Sequence, residues 1–171
     1  MMKNLVCAAL FLYCAATVTA QEPHSHSSTK PVVVTIRNSE GQSVGTATLT
    51  TAAKGVKISL DIKNLPPGQH SIHIHQSAKC DPPDFKTAGA HFHAGGHTMD
   101  GMAAGDIPDF SLIVGADGTA HVTTIAPNVT LGDDDHSVFS DGGTAIVIHA
   151  VAESTTSGAP ARIACGVIVK P

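Results

Sequence analysis

The segment His73-Ile74-His75 carries two imidazoles at a spacing that can serve one metal ion. Side chains two residues apart on a β-strand point to the same face, so both histidines can reach a single ion while Ile72 and Ile74 turn the other way into a core. A His-x-His pair alone is weak evidence, because histidine-rich exported chains are common. The pattern predicts a strand-borne metal site if further ligands follow.

Four more motifs follow the pair in order along the chain. They are Ala90-His91-Phe92, Gly105-Asp106, Ile148-His149 and the run from Arg162 to Ile168 that contains Cys165. With the first pair, this ordered set resembles the copper/zinc superoxide dismutase family from about Pro31 to Lys170. The resemblance implies a copper that cycles between Cu(II) and Cu(I). Histidine ligands suit such an ion because imidazole binds both states.

The resemblance implies four copper ligands, which are His73, His75, His91 and His149. Spacing alone does not separate His91 from His93, so the choice rests on the context Ala88-Gly89-Ala90-His91-Phe92. In the family mechanism His91, which bridges copper to zinc, leaves the reduced copper with a proton and later returns it. Arg162 matches the arginine that attracts and positions the superoxide anion.

The zinc side departs from the family pattern. The family uses the bridging histidine, two more histidines and an aspartate, with the last histidine three residues before the aspartate. Asp106 matches the aspartate, but Ala103 stands where that histidine would be. A second site could use His91, His97 and Asp106, or be rearranged to include His93, or be absent. Without zinc, we expect Asp106 to accept a hydrogen bond from the free nitrogen of His91 and so orient a copper ligand.

A second departure is the short stretch between His149 and Arg162, where the family usually has a longer, charge-bearing loop. Glu153 is the only charged residue there. The whole chain has 10 Lys and Arg against 14 Asp and Glu, a formal charge of −4. This balance argues against nucleic acid or an anionic membrane as a partner. An anionic substrate must therefore be drawn by a local field, for which Arg162 is the candidate.

The first twenty residues predict a secretory signal. Lys3 provides the positive charge at the start of such a signal, and Val18-Thr19-Ala20 provides a cleavage site of small residues. Residues 5–16 form its apolar core, which is too short to span a membrane. We expect a soluble mature protein in the periplasm or outside the cell, without a membrane anchor. Cys80 and Cys165 are then the only cysteines, and an oxidising compartment favours a disulfide between them over two unpaired thiols.

Beyond the first thirty residues the pattern is β throughout. The polar tail over 21–30 carries His24 and His26, which are either solvated or weak accessory metal ligands. Alternating apolar and polar residues predict eight strands, over 32–37, 44–51, 56–63, 70–75, 110–114, 119–125, 144–151 and 163–169. Short strands between Gly/Pro-rich turns favour a sandwich or barrel in one domain, residues 31–171. The family resemblance sharpens this to an all-β, eight-stranded, flattened Greek-key barrel, superoxide dismutase-like and akin to an immunoglobulin-like sandwich.

The irregular stretch 76–109 is too long for an ordinary connection, so its histidines predict function there. The expected function is a superoxide dismutase that produces dioxygen and hydrogen peroxide, with copper as cofactor and zinc undecided. The alternative is a dismutase-like protein that binds or buffers copper with little turnover. An electron-transfer copper protein is disfavoured, since Cys80 and Cys165 match the family disulfide and leave no thiolate for a blue-copper site. No motif supplies the general base of a zinc hydrolase, and the sequence predicts no oligomeric state.

Overall fold

The computed structural model describes residues 30–96, 102–108, 110–152 and 160–171. Within these ranges the chain forms nine β-strands and three short 3-10 helices. The strands are β1 (Val32–Asn38), β2 (Ser43–Thr51), β3 (Val56–Ile62), β4 (Gly68–His70), β5 (Ile72–His75), β6 (Leu112–Val114), β7 (Ala120–Ala126), β8 (Thr144–His149) and β9 (Arg162–Ile168). The helices are Lys86–Ala88, Ala94–Gly96 and Ser140–Gly142. The predicted signal segment and the tail histidines lie outside the described residues.

The strands form a curled antiparallel sheet. Seven of them follow the order β5-β8-β9-β1-β2-β3-β7, and β4 pairs with β6 in a second, two-stranded sheet. β3 pairs with β7 rather than with β4, which follows it in the chain, so the connection crosses over as in a Greek key. The first and last strands lie side by side because β1 pairs with β9. The predicted all-β Greek-key barrel is confirmed.

The fourth predicted strand, 70–75, is wrong as a single element, because the chain changes sheets at Ser71. His70 pairs with Leu112 of β6, whereas Ile72 pairs with Ile148 of β8. The Ser71 N–H donates to the carbonyl of Val151 at 3.2 Å, and the Ser71 carbonyl accepts the N–H of His149 at 2.9 Å. The prediction of eight strands is therefore one too few for the described residues.

The main core fills the inside of the curled sheet with aliphatic side chains at alternate strand positions. In β3, Ile58, Leu60 and Ile62 are buried while Lys57 and Asp61 are exposed, as the alternation predicted. Each such side chain contributes about 1.5–3 kcal/mol by leaving water. This burial fixes which face of each strand is turned outward.

β8 is buried on both of its faces. Ile146 and Ile148 join the main core, while Ala145 and Val147 belong to a smaller cluster on the outer side of the sheet. That outer cluster also contains Phe85, Ala88 and Cys165, with Cys80 packed against it. The segment between β5 and the second 3-10 helix therefore lies over the outer face of β8 and β9.

A disulfide joins Cys80 of this covering segment to Cys165 of β9, with a Cα–Cα distance of 5.7 Å. The predicted pairing is confirmed. Because Cys165 is nearly inaccessible, at 1% exposure, the bond anchors the segment to a fixed part of the sheet.

Candidate metal centre

Four histidine side chains converge where β5, β8 and the covering segment meet. His73 and His75 alternate along β5, and His149 ends β8 directly opposite Arg162 of β9. His91 belongs to a loop segment whose backbone bridges to that of His75. One ligand atom from each of the four histidines lies within 4.8 Å of the others. The structure thus brings together the four side chains that the sequence predicted as copper ligands.

Hydrogen bonds to the backbone select which ring nitrogen of two histidines is available. The Nδ1 of His75 lies 3.0 Å from the carbonyl oxygen of Gly89, and the Nδ1 of His149 lies 3.0 Å from that of Pro160. A carbonyl oxygen can only accept, so Nδ1 carries the proton in both rings. In the neutral ring the lone pair then lies on Nε2, the arrangement that second partners impose on metal-binding imidazoles.

The Nε2 atoms of His75 and His149 are buried and make no hydrogen bond within the described part of the chain. A buried polar atom without a partner is costly, and a metal ion would supply the missing partner. Imidazole nitrogens bind zinc at about 2.0–2.1 Å, so nitrogens that share one ion lie about 3–4 Å apart. The four ligand atoms, all within 4.8 Å of one another, would close to that spacing around an ion. The donor set therefore fits a first-row metal ion, copper among them.

Burial keeps these imidazoles neutral. It lowers the pKa of His73 to about 3, with smaller contributions from His91 and His149. It also lowers the pKa of His75 to about 3, against the opposing effect of the Gly89 hydrogen bond, and lowers the pKa of His149. Only the neutral ring has a lone pair for a metal, so the site is ready to bind at physiological pH.

Asp106 uses both carboxylate oxygens to hold the fourth histidine. Its Oδ1 lies 2.6 Å from Nδ1 of His91, and its Oδ2 accepts the N–H of Ala103 at 2.8 Å. Asp106 therefore touches His91 as the sequence analysis expected for a centre without zinc, and the residue that replaces the family's histidine supplies the second contact. Asp106 thereby fixes the orientation of the ring that joins the group of four.

Gly105 fixes the position of Asp106. Its carbonyl accepts the N–H of Ile74, and its own N–H donates to the carbonyl of Phe92, both at 2.9 Å. A Cβ at this position would lie 2.0 Å from the carbonyl oxygen of Ile74, which no side chain can do. Glycine is therefore required for the loop to approach β5 this closely.

Arg162 lies beside the centre with its guanidinium held by the covering segment. Its Nη1 donates to the carbonyl of Phe85 at 2.8 Å and its Nη2 to the carbonyl of Gly89 at 2.7 Å. The Gly89 carbonyl thus receives hydrogen bonds from both Arg162 and His75. Sequence reasoning missed these acceptors, as it missed Pro160, because a backbone carbonyl leaves no mark on residue type.

The other predicted histidines do not enter the group of four. His97 lies outside the described residues. His93 is exposed, and within the described ranges it does not join His91 and Asp106 in a cluster of three metal-binding groups. His70 also stays outside the group, with its Nδ1 2.8 Å from the carbonyl of His149 and its Nε2 2.8 Å from that of Pro66.

A Greek-key barrel with four histidines converging on one point defines a class of metal-binding β-barrel proteins. Comparison with known families extends this. Residues 43–168 match the family model described as copper/zinc superoxide dismutase. The chain is 37% identical to a superoxide dismutase [Cu-Zn] of Caulobacter vibrioides, over 78% of this chain and 82% of the relative. It is also 37% identical to superoxide dismutase [Cu-Zn] 1 of Aquifex aeolicus, over 96% of both chains.

Solved structures agree with these relatives. A double mutant of a SOD-like protein from Bacillus subtilis superposes with a TM-score of 0.72 at 31% identity, covering 81% of this chain and 97% of the other. The fold is also shared with the Cu/Zn superoxide dismutase of Brucella abortus, with a TM-score of 0.61 at 24% identity over 81% of this chain and 99% of that one. The chain belongs to the copper/zinc superoxide dismutase family. No helix among the described residues has the length and apolar character needed to cross a bilayer.

Proposed function

We propose that this chain is an exported superoxide dismutase that holds copper through His73, His75, His91 and His149. The convergence of one ligand atom from each of the four carries the proposal. Bound copper supplies one-electron chemistry, by which two superoxide anions and two protons become one dioxygen and one hydrogen peroxide. Every other requirement of the reaction falls to the chain's own residues.

His91 is suited to handle a proton. Its Nδ1 is held by Asp106, so Nε2 is the atom that faces the other three histidines. By the family resemblance, His91 is the ligand that would carry a proton during turnover, and Asp106 would keep its ring in place while it does so. Burial lowers the pKa of His73, His75 and His149, which disfavours them as proton carriers.

Arg162 is suited to attract the anion. Its guanidinium is directed by two backbone carbonyls, and the backbone of its residue lies opposite that of His149. A cation within about one Debye length, ~8 Å at physiological salt, outweighs carboxylates that are farther away and screened. The net negative charge of the chain therefore does not prevent superoxide from reaching the centre.

Copper alone, without structural zinc, is the form that we propose, because Ala103 stands where the family has its last zinc-binding histidine. Asp106 would then serve to orient His91, which it contacts through Oδ1. Restoring a histidine with Ala103→His should raise zinc uptake if His97 or His93 can complete the site. Stoichiometric, chelator-resistant zinc in the unmodified protein would contradict the copper-only form.

The decisive experiment combines metal analysis with a superoxide assay on the purified, copper-loaded chain. We expect one copper per chain and turnover that depends on it. A chain that binds one copper tightly but does not turn over superoxide would instead support a copper-buffering role.

Export is the second part of the proposal. A signal over residues 1–20 would place the mature protein in the periplasm or outside the cell, and the Cys80–Cys165 disulfide is typical of such oxidising compartments. Amino-terminal sequencing of the protein from fractionated cells is expected to begin at Gln21. Recovery of the uncleaved chain from the cytoplasm would contradict export.

A further inference from the structure

We infer that Phe85 is a positioning residue for Arg162, setting the direction in which the guanidinium faces the centre. This inference rests on the proposed function for the identity of the metal and the anion. Its geometric basis is separate. The carbonyl of Phe85 accepts from Arg162 Nη1 at 2.8 Å and also accepts the N–H of Ala88 at 3.1 Å.

The backbone of Phe85 is held in a conformation that residues with side chains avoid. Its φ of 53° and ψ of 23° lie in the left-handed region. Such a conformation is strained for a residue with a side chain and persists only where the surroundings impose it. This conformation sets the direction of the carbonyl that meets Arg162, so whatever imposes it also positions the arginine.

The aromatic ring supplies that constraint. Phe85 is 1% exposed and packs in the outer cluster with Ala88, Ala145, Val147 and Cys165. Burial of the apolar ring stabilises this packing and offsets the backbone strain. The ring thus rests on β8 and β9, the strands that carry His149 and Arg162, and holds the carbonyl in register with them.

The second acceptor of Arg162 is held in another way. Gly89 lies between the backbone hydrogen bonds that join Gln76 to Ala90 and Ser77 to Ala88. These bonds continue from the His75–His91 bridge just beyond the end of β5 and fix the Gly89 carbonyl. The carbonyl of Phe85 has no such strand pairing in the described structure. Its backbone is held by local bonds to Ala88 and Asp81 within the covering segment, and only the packing of its ring ties it to β8 and β9. Loss of the ring should therefore release one of the two contacts to Arg162 while leaving the contact with Gly89.

The test compares Phe85→Ala and Phe85→Leu with the parent protein in the copper-loaded state. Two quantities are measured: the dissociation constant of azide, a small anion that ligates Cu(II), and the ionic-strength dependence of the rate with superoxide. We expect Phe85→Ala to weaken azide binding about three- to tenfold, as loss of one hydrogen bond would, and to flatten the salt dependence. Phe85→Leu keeps most of the buried volume and should lose about twofold.

Two controls separate positioning from general damage. In the Arg162→Ala background, neither substitution at Phe85 should change azide affinity further. Ile58→Val removes volume from the main core instead, away from the outer cluster and from Arg162, so its azide affinity should match the parent even if its melting temperature falls.

The inference is overturned if the Phe85 variants bind azide like the parent with copper fully loaded, or if they weaken binding equally without Arg162. If Phe85→Ala does not fold or load copper, Phe85→Leu decides by the same criteria. A parent protein that binds copper and azide but does not turn over superoxide would refute the proposed function while leaving this test intact.

Discussion

The strand-borne and loop-borne parts of the centre are held by different means. His73, His75 and His149 lie on paired strands, and β8 is buried along its whole length. His91 and the guanidinium of Arg162 are instead directed by a few specific bonds to one carboxylate and two carbonyls. We therefore expect the strands to fix where a metal can lie, and the loop that carries His91 and holds the guanidinium of Arg162 to govern the proton and the anion. Damage to each part should therefore produce a different defect.

Removing a strand-borne ligand should have the largest effect. His149→Ala takes one of four ligands from a buried site, so we expect copper affinity and dismutase activity to fall more than about 100-fold, beyond the loss of a mere supporting contact. Activity assays and the Cu(II) spectrum check this. His121→Ala, at an exposed histidine paired with Asp61, is the matched control and should behave as the parent. Full activity in His149→Ala would show that His149 is not a copper ligand.

Disturbing the loop-borne histidine should have a smaller effect. In Asp106→Asn the new amide must turn its NH₂ toward either His91 Nδ1 or the N–H of Ala103, and both are donors. We expect activity to fall about 10–100-fold, the usual cost of losing a supporting contact to a metal ligand. Asp61→Asn is the control, since Asp61 also faces a histidine Nδ1, at 3.3 Å, but in solvent. Equal activities for these two variants would show that Asp106 does not orient His91.

Removing the anion-attracting charge should act on rate alone. Arg162→Ala is expected to lower the second-order rate with superoxide about tenfold and weaken its dependence on ionic strength, with copper content unchanged. Arg162→Glu should be slower still. Arg37→Ala removes an exposed arginine of β1 and serves as the control. If both Arg162 variants kept the parent rate and its salt dependence, Arg162 would have no role in attracting the anion.

Proton uptake by the strand-borne histidines should act on the stability of the metal-free protein and not on the rate of the copper-loaded chain. Burial lowers the pKa of His73 and His75 from 6.5 to about 3, so the unfolded chain binds more protons between these values. Their stabilisation is complete above pH 6.5 and is lost as the pH falls toward 3. Each histidine should lower the free energy of unfolding by up to about 1.4 kcal/mol for every pH unit of this fall. Urea unfolding of metal-free protein at pH 7 and 5 measures this, and equal values would contradict it.

The strand-borne ligands could be predicted because their geometry follows from a period of two. The same alternation that sends His73 and His75 to one face sends Ile72 and Ile74 into the core, where both are fully buried. The change of sheet at Ser71 was not predictable, because it depends on backbone bonds to residues far along the chain.

The loop-borne part was predictable only where side chains mark it. The resemblance favoured His91 over His93 through neighbouring residues, and Asp106 was expected beside His91 if zinc is absent. The acceptors of Arg162 are backbone carbonyls, which any residue can provide. Phe85 left a sequence signal only as a large apolar residue in a polar loop, and that signal does not reveal a left-handed backbone.

The complete burial of β8 has a consequence for how the metal enters. A strand covered on both faces opens only when the whole domain unfolds, so its amide protons should be the slowest to exchange with deuterated solvent, with or without copper. Copper uptake then buries little additional apolar surface, and calorimetry should find a small change in heat capacity on binding. The metal-free chain would therefore bind its ion without refolding. The rate of binding would depend on movement of the loop that carries His91 and on how fast the ion loses its bound water.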